Sequence, residues 1–391
     1  MDLESAAGRG SVQSADSRDW SLADLLAGDL GRLTSLTRDA FGFDADPDLM
    51  NTVVETVAYP FGSPATAALL RVRGDGPDGA WSLFCKVLQH VRHWSLLHLL
   101  PPDAQADFAN QLPWRAELGL WDDLMLPTFP DGLRPPQLHA IIDLGDDRLS
   151  VWMEDIEESD EPWDLARYAR AGHLVGRWNA RSRSPELLAS AGLPNGYALR
   201  MYAENAVAHR GLEPLASAEL WSHPWLAPHA DLRQQLLALA PRIPELLDRL
   251  DAMEQTLPHG DASPQNLLVP ADAPETFIAI DISFRSPHAL GMDLSQMLLG
   301  LIHAGIVPAA DLPGIADSIL PAYVDGLRAE GWTGDPDEVG RAFAATTLLR
   351  SGFDGFRYEL LSAPVEDTAA RAEFDTRIDM ARFIVDRALS S

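Results

Sequence analysis

Residues 259–268 read HGDASPQNLL and residues 277–283 read FIAIDIS. Between the two apolar runs lies PADAPET, residues 270–276, whose prolines and aspartate place a turn near Asp272 to Pro274. Antiparallel pairing of LLV with FIAI across that turn sets Asn266 and Asp281 equally far from it, so both side chains emerge at one open end of a hairpin. Asp261, five residues before Asn266 on the preceding loop, reaches the same place. Two carboxylates and an amide oxygen then converge, a donor set that a hard cation such as Mg2+ accepts. A lone HGD would mean little, because a His-Asp pair can equally be a hydrogen bond of the core. The reading rests on the order of loop, strand, turn, strand and aspartate.

Upstream of this hairpin the pattern changes. From Asn51 it is that of strands: residues 51–59, a small-residue turn FGSPAT at 61–66, residues 67–74, a turn GDGPDG at 74–79, then WSLFCKVLQ at 81–89. These predict a three-stranded antiparallel meander. A helix is expected over roughly 105–124, followed by strands at 137–145 and 148–156. Residues 19–155 thus read as one lobe, a five-stranded sheet with one inserted helix. Ahead of the sheet, Ser21 and Asp24 form a capping pair that opens an amphipathic helix running through Leu36. Residues 156–391 read as a mostly helical lobe, with helices expected over 163–182, 231–255, 292–305, 311–331 and 337–361. Residues 1–18 are small and polar, and a disordered leader is expected there. The fold class is α+β in two lobes, with a ligand crevice expected between them.

The 391 residues carry 58 acidic against 30 basic side chains, a formal net charge of −28, and a surface of that sign repels phosphate backbones and anionic lipid. Nucleic acid and membranes are not expected partners. No apolar run reaches the roughly 18 residues of a membrane span and no signal-peptide core stands near the start, so a soluble, cytoplasmic chain is expected. Cys85 is the only cysteine, which excludes an internal disulfide and cysteine-rich zinc sites and fits a reducing compartment. Of the 30 basic residues a single one, Lys86, is lysine. In a chain that uses arginine everywhere else, a retained lysine points to a need for a compact ammonium rather than a planar guanidinium. Its place inside the strand-like run WSLFCKVLQ argues against an ordinary solvated lysine.

The string HGDASPQN followed by FIAID resembles the aminoglycoside phosphotransferase and choline kinase superfamily, distant relatives of the protein kinases. There the first motif reads HGDxxxxN and a second begins with an aspartate after a strand. The resemblance covers about residues 50 to 360. It implies a bilobal protein-kinase-like fold and transfer of the γ-phosphate of ATP or GTP to a hydroxyl of an antibiotic, a sugar or an amino alcohol. It implies that Asp261 orients and deprotonates the acceptor hydroxyl, and that Asn266 and Asp281 hold Mg2+ on the nucleotide phosphates. His259 would tether the loop, and Asp293, in GMDLSQ, would support it from below. Lys86 would reach the α- and β-phosphates, with Glu117 on the next helix as its partner. Gly62, Ser63 and Thr66 stand where a nucleotide-covering loop would lie, and Met153-Glu154-Asp155-Ile156 resembles the hinge whose backbone binds adenine.

Departures from the protein-kinase pattern narrow the acceptor. The FGSPAT turn lacks GxGxxG, DIS stands in place of DFG, and only eleven residues separate Asp281 from Asp293. That leaves no room for a long activation loop or a protein-substrate platform, so a small acceptor is expected. Trp178, Tyr202, Glu204, Asp354 and Glu359 are candidates to line a pocket for a polar or cationic one. Two other readings stay open. One is a catalytically silent nucleotide-binding module, against which the occupancy of all five key positions counts. The other is a metal hydrolase built on His259, Asp261 and His288, which lacks a third histidine and leaves Lys86 unexplained.

Overall fold

Alternation of apolar side chains builds the sheet. In the computed structural model, which describes residues 19–43, 49–58, 63–76, 79–99, 102–282 and 285–390, five strands pair antiparallel: β1 (Val53–Thr56), β2 (Thr66–Gly76), β3 (Gly79–Gln89), β4 (Leu138–Gly145) and β5 (Arg148–Glu154), in the spatial order β1-β2-β3-β5-β4. Along β3, Trp81, Leu83, Cys85 and Val87 point to one face, where they join Leu70, Val72 and Trp152 and the helical residues Leu25, Leu26, Leu33 and Leu36 in one core. Phe84 and Leu88 point to the other face and pack with Val151 and Met153. Lys86 shares that second face by the two-residue period of a strand.

Two expectations for this part of the chain need correction. The capping box of Ser21 and Asp24 forms, but its helix spans only Leu22–Leu25. Ala27 and Gly28 take left-handed backbone (φ 54 and 81), and the chain restarts as α1 (Gly31–Phe41). The helix after β3 is also shorter than its periodicity predicts. Helix α2 spans Pro102–Gln111, and Pro113 disfavours helical backbone at the residue before it. Glu117 therefore sits on a separate 3-10 turn, Ala116–Trp121.

The chain divides into two compact units. One holds the sheet and comprises the described residues from Asp19 to Trp121 with Pro135–Glu158; the other comprises Asp122–Arg134 with the described residues from Ser159 onwards. The second unit is helical: α3 (Leu165–Arg181), α4 (Ile243–Ala252), α5 (Leu294–His303), α6 (Leu312–Ala329), α7 (Pro336–Thr347) and α8 (Thr368–Ser390) are its main helices. Helices α3 and α6 meet backbone to backbone. A Cβ at Gly176 would collide with the carbonyl oxygen of Tyr323, and one at Gly326 with that of His173. The single helix expected over 231–255 is broken into Ala230–Leu239, a 3-10 turn at Ala240–Arg242 and α4, because Pro241 has no N–H to continue the ladder. The helix expected over 337–361 ends as α7 and passes into a π-helical turn, Leu348–Gly352.

The hairpin of this unit pairs β6 (Leu267–Leu268) with β7 (Phe277–Ala279). A third short strand, Leu133–Arg134, joins β7 in parallel, and residues 255–256 pair with 288–289; neither carries enough sequence pattern to be foreseen. Among the described residues, no helix is long and apolar enough to cross a membrane.

Candidate functional site

The register of the hairpin positions the polar residues. Leu267 lies opposite Ala279 and Leu268 opposite Ile278. One step further, Ile280 donates its N–H to the Asn266 carbonyl at 3.0 Å. Asn266 and Asp281 thus leave the ladder at the same end. Asp281 takes left-handed backbone at φ 57, a conformation that aspartate tolerates better than most residues. The Asn266 amide donates to the Asp261 carbonyl at 2.9 Å and to Asp261 Oδ2 at 3.2 Å. Its Nδ2 is therefore committed to the loop, and its Oδ1 is the atom with lone pairs to offer. The Asp261 side chain is 36% exposed. Burial pushes its carboxyl above the usual carboxylate range; Arg350 and His259 oppose this, and the negative charges of Asp281 and Asp293 add to it.

The loop carrying Asp261 is held from two sides. Below it, the buried carboxylate of Asp293 accepts the N–H of His259 at 3.1 Å and that of Gly260 at 2.8 Å, and also the Asn179 amide at 2.9 Å. Asn179 in turn donates to Tyr323 Oη at 3.0 Å, which accepts the N–H of Gly291 at 3.1 Å. From the other side Arg350, itself buried, donates to the Gly260 carbonyl at 2.5 Å and lies 3.7 Å from Asp261 Oδ1. Its Nε and Nη2 donate to Gln296 Oε1 at 3.0 and 3.2 Å. His259 accepts the Asp261 N–H at Nδ1, 3.3 Å away, and its ring stands edge-on to Trp178.

Arg350 and Asn179 escape the sequence reading. The available signal for the first was a guanidinium inside the apolar run AFAATTLLRSGF, residues 342–353, the same kind of anomaly that marks Lys86.

In the sheet unit, Lys86 Nζ and Glu117 Oε2 are 2.5 Å apart, and both side chains are 9% exposed. The predicted partners therefore meet, although Glu117 reaches Lys86 from a 3-10 turn rather than from a regular helix. Thr66 opens β2 beside a register shift and donates its N–H to the Ser63 carbonyl at 3.3 Å. Gly62 lies outside the described residues. Met153 is paired with Phe84 on one side and Leu138 on the other, so it is interior to the sheet. The strand ends at Glu154, whose carboxylate accepts the Gln137 N–H at 3.0 Å. Asp155 is gripped by Arg71 Nε at 2.7 and 2.9 Å and by Ser82 Oγ at 2.5 Å, which fixes the segment leading to the half-buried Ile156.

Of the five acceptor candidates, Tyr202 and Asp354 meet. Tyr202 donates to Asp354 Oδ2 at 2.6 Å, and Arg210 donates to both, at 3.2 and 3.1 Å. Glu204 is exposed, and Glu359 pairs with Arg357 at 2.5 Å. Trp178 is a correction: it is fully buried, donates to Thr128 Oγ1 at 2.9 Å and stacks on Phe129. It supports the loop through His259 and has no surface for an acceptor. His288 is also interior, with burial lowering its imidazole to about 3, and it hydrogen bonds Ser286. Among the described residues, no group of three or more His, Cys, Asp or Glu side chains forms a metal cluster, so the hydrolase triad is not assembled.

No protein-family model matches this sequence, and no curated protein matches it. Solved structures do. An amicoumacin kinase, hAmiN, in complex with AMP-PNP, Ca2+ and Ami is 14% identical at a TM-score of 0.51, over 90% of this chain and 93% of that one. An aminoglycoside phosphotransferase from Alicyclobacillus acidocaldarius is 12% identical at 0.51, over 89% and 95%. The AMP-bound spectinomycin phosphotransferase APH(9)-Ia is 11% identical at 0.51, over 92% and 98%. At such identities the likeness is one of fold: this chain has the protein-kinase-like α+β fold of these phosphotransferases.

Proposed function

We propose that the chain is an ATP- or GTP-dependent kinase that transfers the γ-phosphate to a hydroxyl of a small molecule, such as an aminoglycoside or other antibiotic, a sugar or an amino alcohol. The observation that supports this most is the hairpin register, which leaves Asn266 and Asp281 at the same end of the ladder, with Asn266 hydrogen bonded to Asp261. Mg2+ is a fitting partner for that pair, because it keeps several waters and takes its remaining oxygens from nucleotide phosphates instead of demanding an all-protein cage. When bound there it would neutralise phosphate charge.

The protein's own residues then divide the work. Asp261, fixed through its backbone by Asn266 and His259, would accept a hydrogen bond from the acceptor hydroxyl and take its proton. Asp293 and Arg350 hold the peptide bonds on either side of Gly260, so the carboxylate is aimed before the acceptor arrives. Lys86, oriented by Glu117, would supply a positive charge to the nucleotide phosphates, and the end of β5 would offer backbone to the base. The bonds broken and formed are the bridging β–γ P–O bond and the acceptor O–P bond.

The test is calorimetric and thermal titration with ATP and GTP, with and without Mg2+, followed by a screen of antibiotics, amino sugars and amino alcohols for nucleotide consumption. Stabilisation of about 2.7 kcal/mol is expected at one hundred times the dissociation constant. No response to either nucleotide with Mg2+ refutes the kinase reading. Nucleotide binding without turnover of any acceptor favours the silent module.

A further inference from the structure

One stripe of α5 runs beside both the Asp261 loop and the turn that carries Arg350. Gln296, Gly300 and His303 follow one another at helical spacing and share a face. Gln296 accepts two N–H groups of Arg350. A Cβ at Gly300 would meet the Ser263 side chain at 2.6 Å and the Pro264 ring at 3.1 Å, so the helix lies directly on the residues that follow Asp261. His303 closes the stripe, with its Nε2 3.1 Å from the hydroxyl of Ser351, the residue after Arg350.

The tautomer of His303 is fixed by its other neighbour. A guanidinium only donates, so Arg377 of α8, bonded to Nδ1, makes that nitrogen the acceptor and leaves the ring proton on Nε2. The imidazole therefore donates to Ser351 Oγ. Burial and the charges of Arg377 and Arg350 lower its pKa to about 3, which keeps the ring neutral and this direction intact near neutral pH. Arg377 also donates to the His303 carbonyl at 2.7 Å, one of the carbonyls that the end of α5 leaves without a helical partner. Arg377 and Ser351 are both buried, so these bonds form away from competing water.

We propose that Arg377 and His303 are positioning residues for Asp261. Arg377 fixes the His303 ring, the ring fixes Ser351, and the turn of Ser351 delivers Arg350 to the Gly260 carbonyl at 2.5 Å. The proposal rests on the reading of Asp261 as the group that meets the acceptor. It brings α8 into the support of the site, although Arg377 stands beyond residue 360, where the motif resemblance ends. The alternative is that these residues only dock α8 on α5, and their removal would then loosen the helices without singling out the loop.

The experiment is amide hydrogen exchange, read by mass spectrometry on the full chain, comparing the peptide that holds His259 to Asp261 with peptides from α3 and α8. Ser351→Ala removes the acceptor of the ring, and His303→Asn keeps an oxygen toward Arg377 but is too short to reach Ser351. Each should speed exchange of the loop about threefold to tenfold, the worth of one hydrogen bond, while α3 stays within about twofold. Arg377→Met should loosen the loop at least as much. His303→Gln carries an N–H to the position of Nε2 and should hold loop exchange within about twofold of the parent. The double variant His303→Asn, Ser351→Ala should exceed neither single by more than about twofold, since both cut the same bond. Calorimetric affinity for Mg2+-ATP should stay at the parent value in every variant, because Asp281 and Lys86 are untouched. A parent that binds no nucleotide refutes the kinase reading, and loop exchange then still decides whether Arg377 and His303 hold Asp261. Unchanged loop exchange in Ser351→Ala and His303→Asn overturns the proposal. So do additive effects in the double variant, a His303→Gln variant as loose as His303→Asn, or equal loosening of the loop and α3 with loss of Mg2+-ATP affinity.

Discussion

Replacing Arg350 with methionine should loosen the 259–261 loop while leaving the sheet unit as it was. Methionine occupies much of the arginine's volume but returns none of its donors. The Gly260 carbonyl loses its 2.5 Å partner, and Gln296 loses two N–H groups at 3.0 and 3.2 Å. Each buried acceptor left unpaired costs about 1–3 kcal/mol, less where water can enter. The pairing with Asp261 adds about 0–1 kcal/mol only, because that side chain is 36% exposed and the distance is 3.7 Å. The opening free energy of the loop should therefore fall by about 2–4 kcal/mol, which is about 30- to 1000-fold faster amide exchange at His259 to Asp261. Hydrogen exchange read by mass spectrometry measures this directly, with the peptide spanning β2 and β3 as internal reference. Arg350→Lys keeps the charge but cannot donate to Gly260 and Gln296 in a planar fork, and should recover less than half of the protection. Exchange of the loop in Arg350→Met within about threefold of the parent would show that Asp293 alone holds it, and the two-sided clamp would be wrong.

Other outcomes follow from the same geometry. Lys86→Arg should abolish the Mg2+-nucleotide thermal shift, since a longer planar group cannot keep the 2.5 Å pairing with Glu117 in a space that is 9% exposed; a retained shift removes Lys86 from the site. Asp281→Ala should weaken calorimetric Mg2+-nucleotide binding, whereas Asp261→Ala should leave it nearly intact and lower turnover by about 10²- to 10⁴-fold; equal losses of affinity would refute the division of roles. Asp261→Asn should stabilise the fold near neutral pH. The folded carboxyl titrates above its unfolded value, so its ionisation costs stability as pH rises through that range, and the gain should vanish at low pH where both states are protonated; urea midpoints across pH check the sign. Gly176→Ala should cost about 1–3 kcal/mol in urea unfolding, because its Cβ meets the Tyr323 carbonyl and forces α3 from α6.

The hairpin was legible because its turn residues and flanking apolar runs are local, and a local register decides where Asn266 and Asp281 emerge. Lys86 was legible through composition, and its strand setting was visible in the alternation of WSLFCKVLQ. Periodicity alone overran helix ends: Pro113 and Pro241 were in plain view as breaks, yet the apolar spacing continued across both. The left-handed turn at Ala27 carried no such residue-type signal, because only the following glycine favours it. The π-helical turn at Leu348–Gly352 was invisible for a related reason, since no residue type encodes it and it is fixed by packing. Arg350 and Gly260 are 90 positions apart, so their hydrogen bond is a property of the assembled unit. Trp178 misled because an aromatic at helical spacing reads alike whether it faces solvent, ligand or core; its burial against Phe129 and His259 is settled only in three dimensions.

The sole lysine has a consequence for how this protein meets covalent chemistry. Acylating reagents, acetyltransferases and ubiquitin ligases act on amines, and the arginines that make up the rest of the basic complement offer them none. The one ε-amine in the chain is recessed in the sheet and tied to Glu117. The folded protein is thus nearly inert toward amine labelling except at a chain terminus. Any internal adduct that does form records the breathing of a single pair, Lys86 and Glu117, with no background from other lysines to subtract.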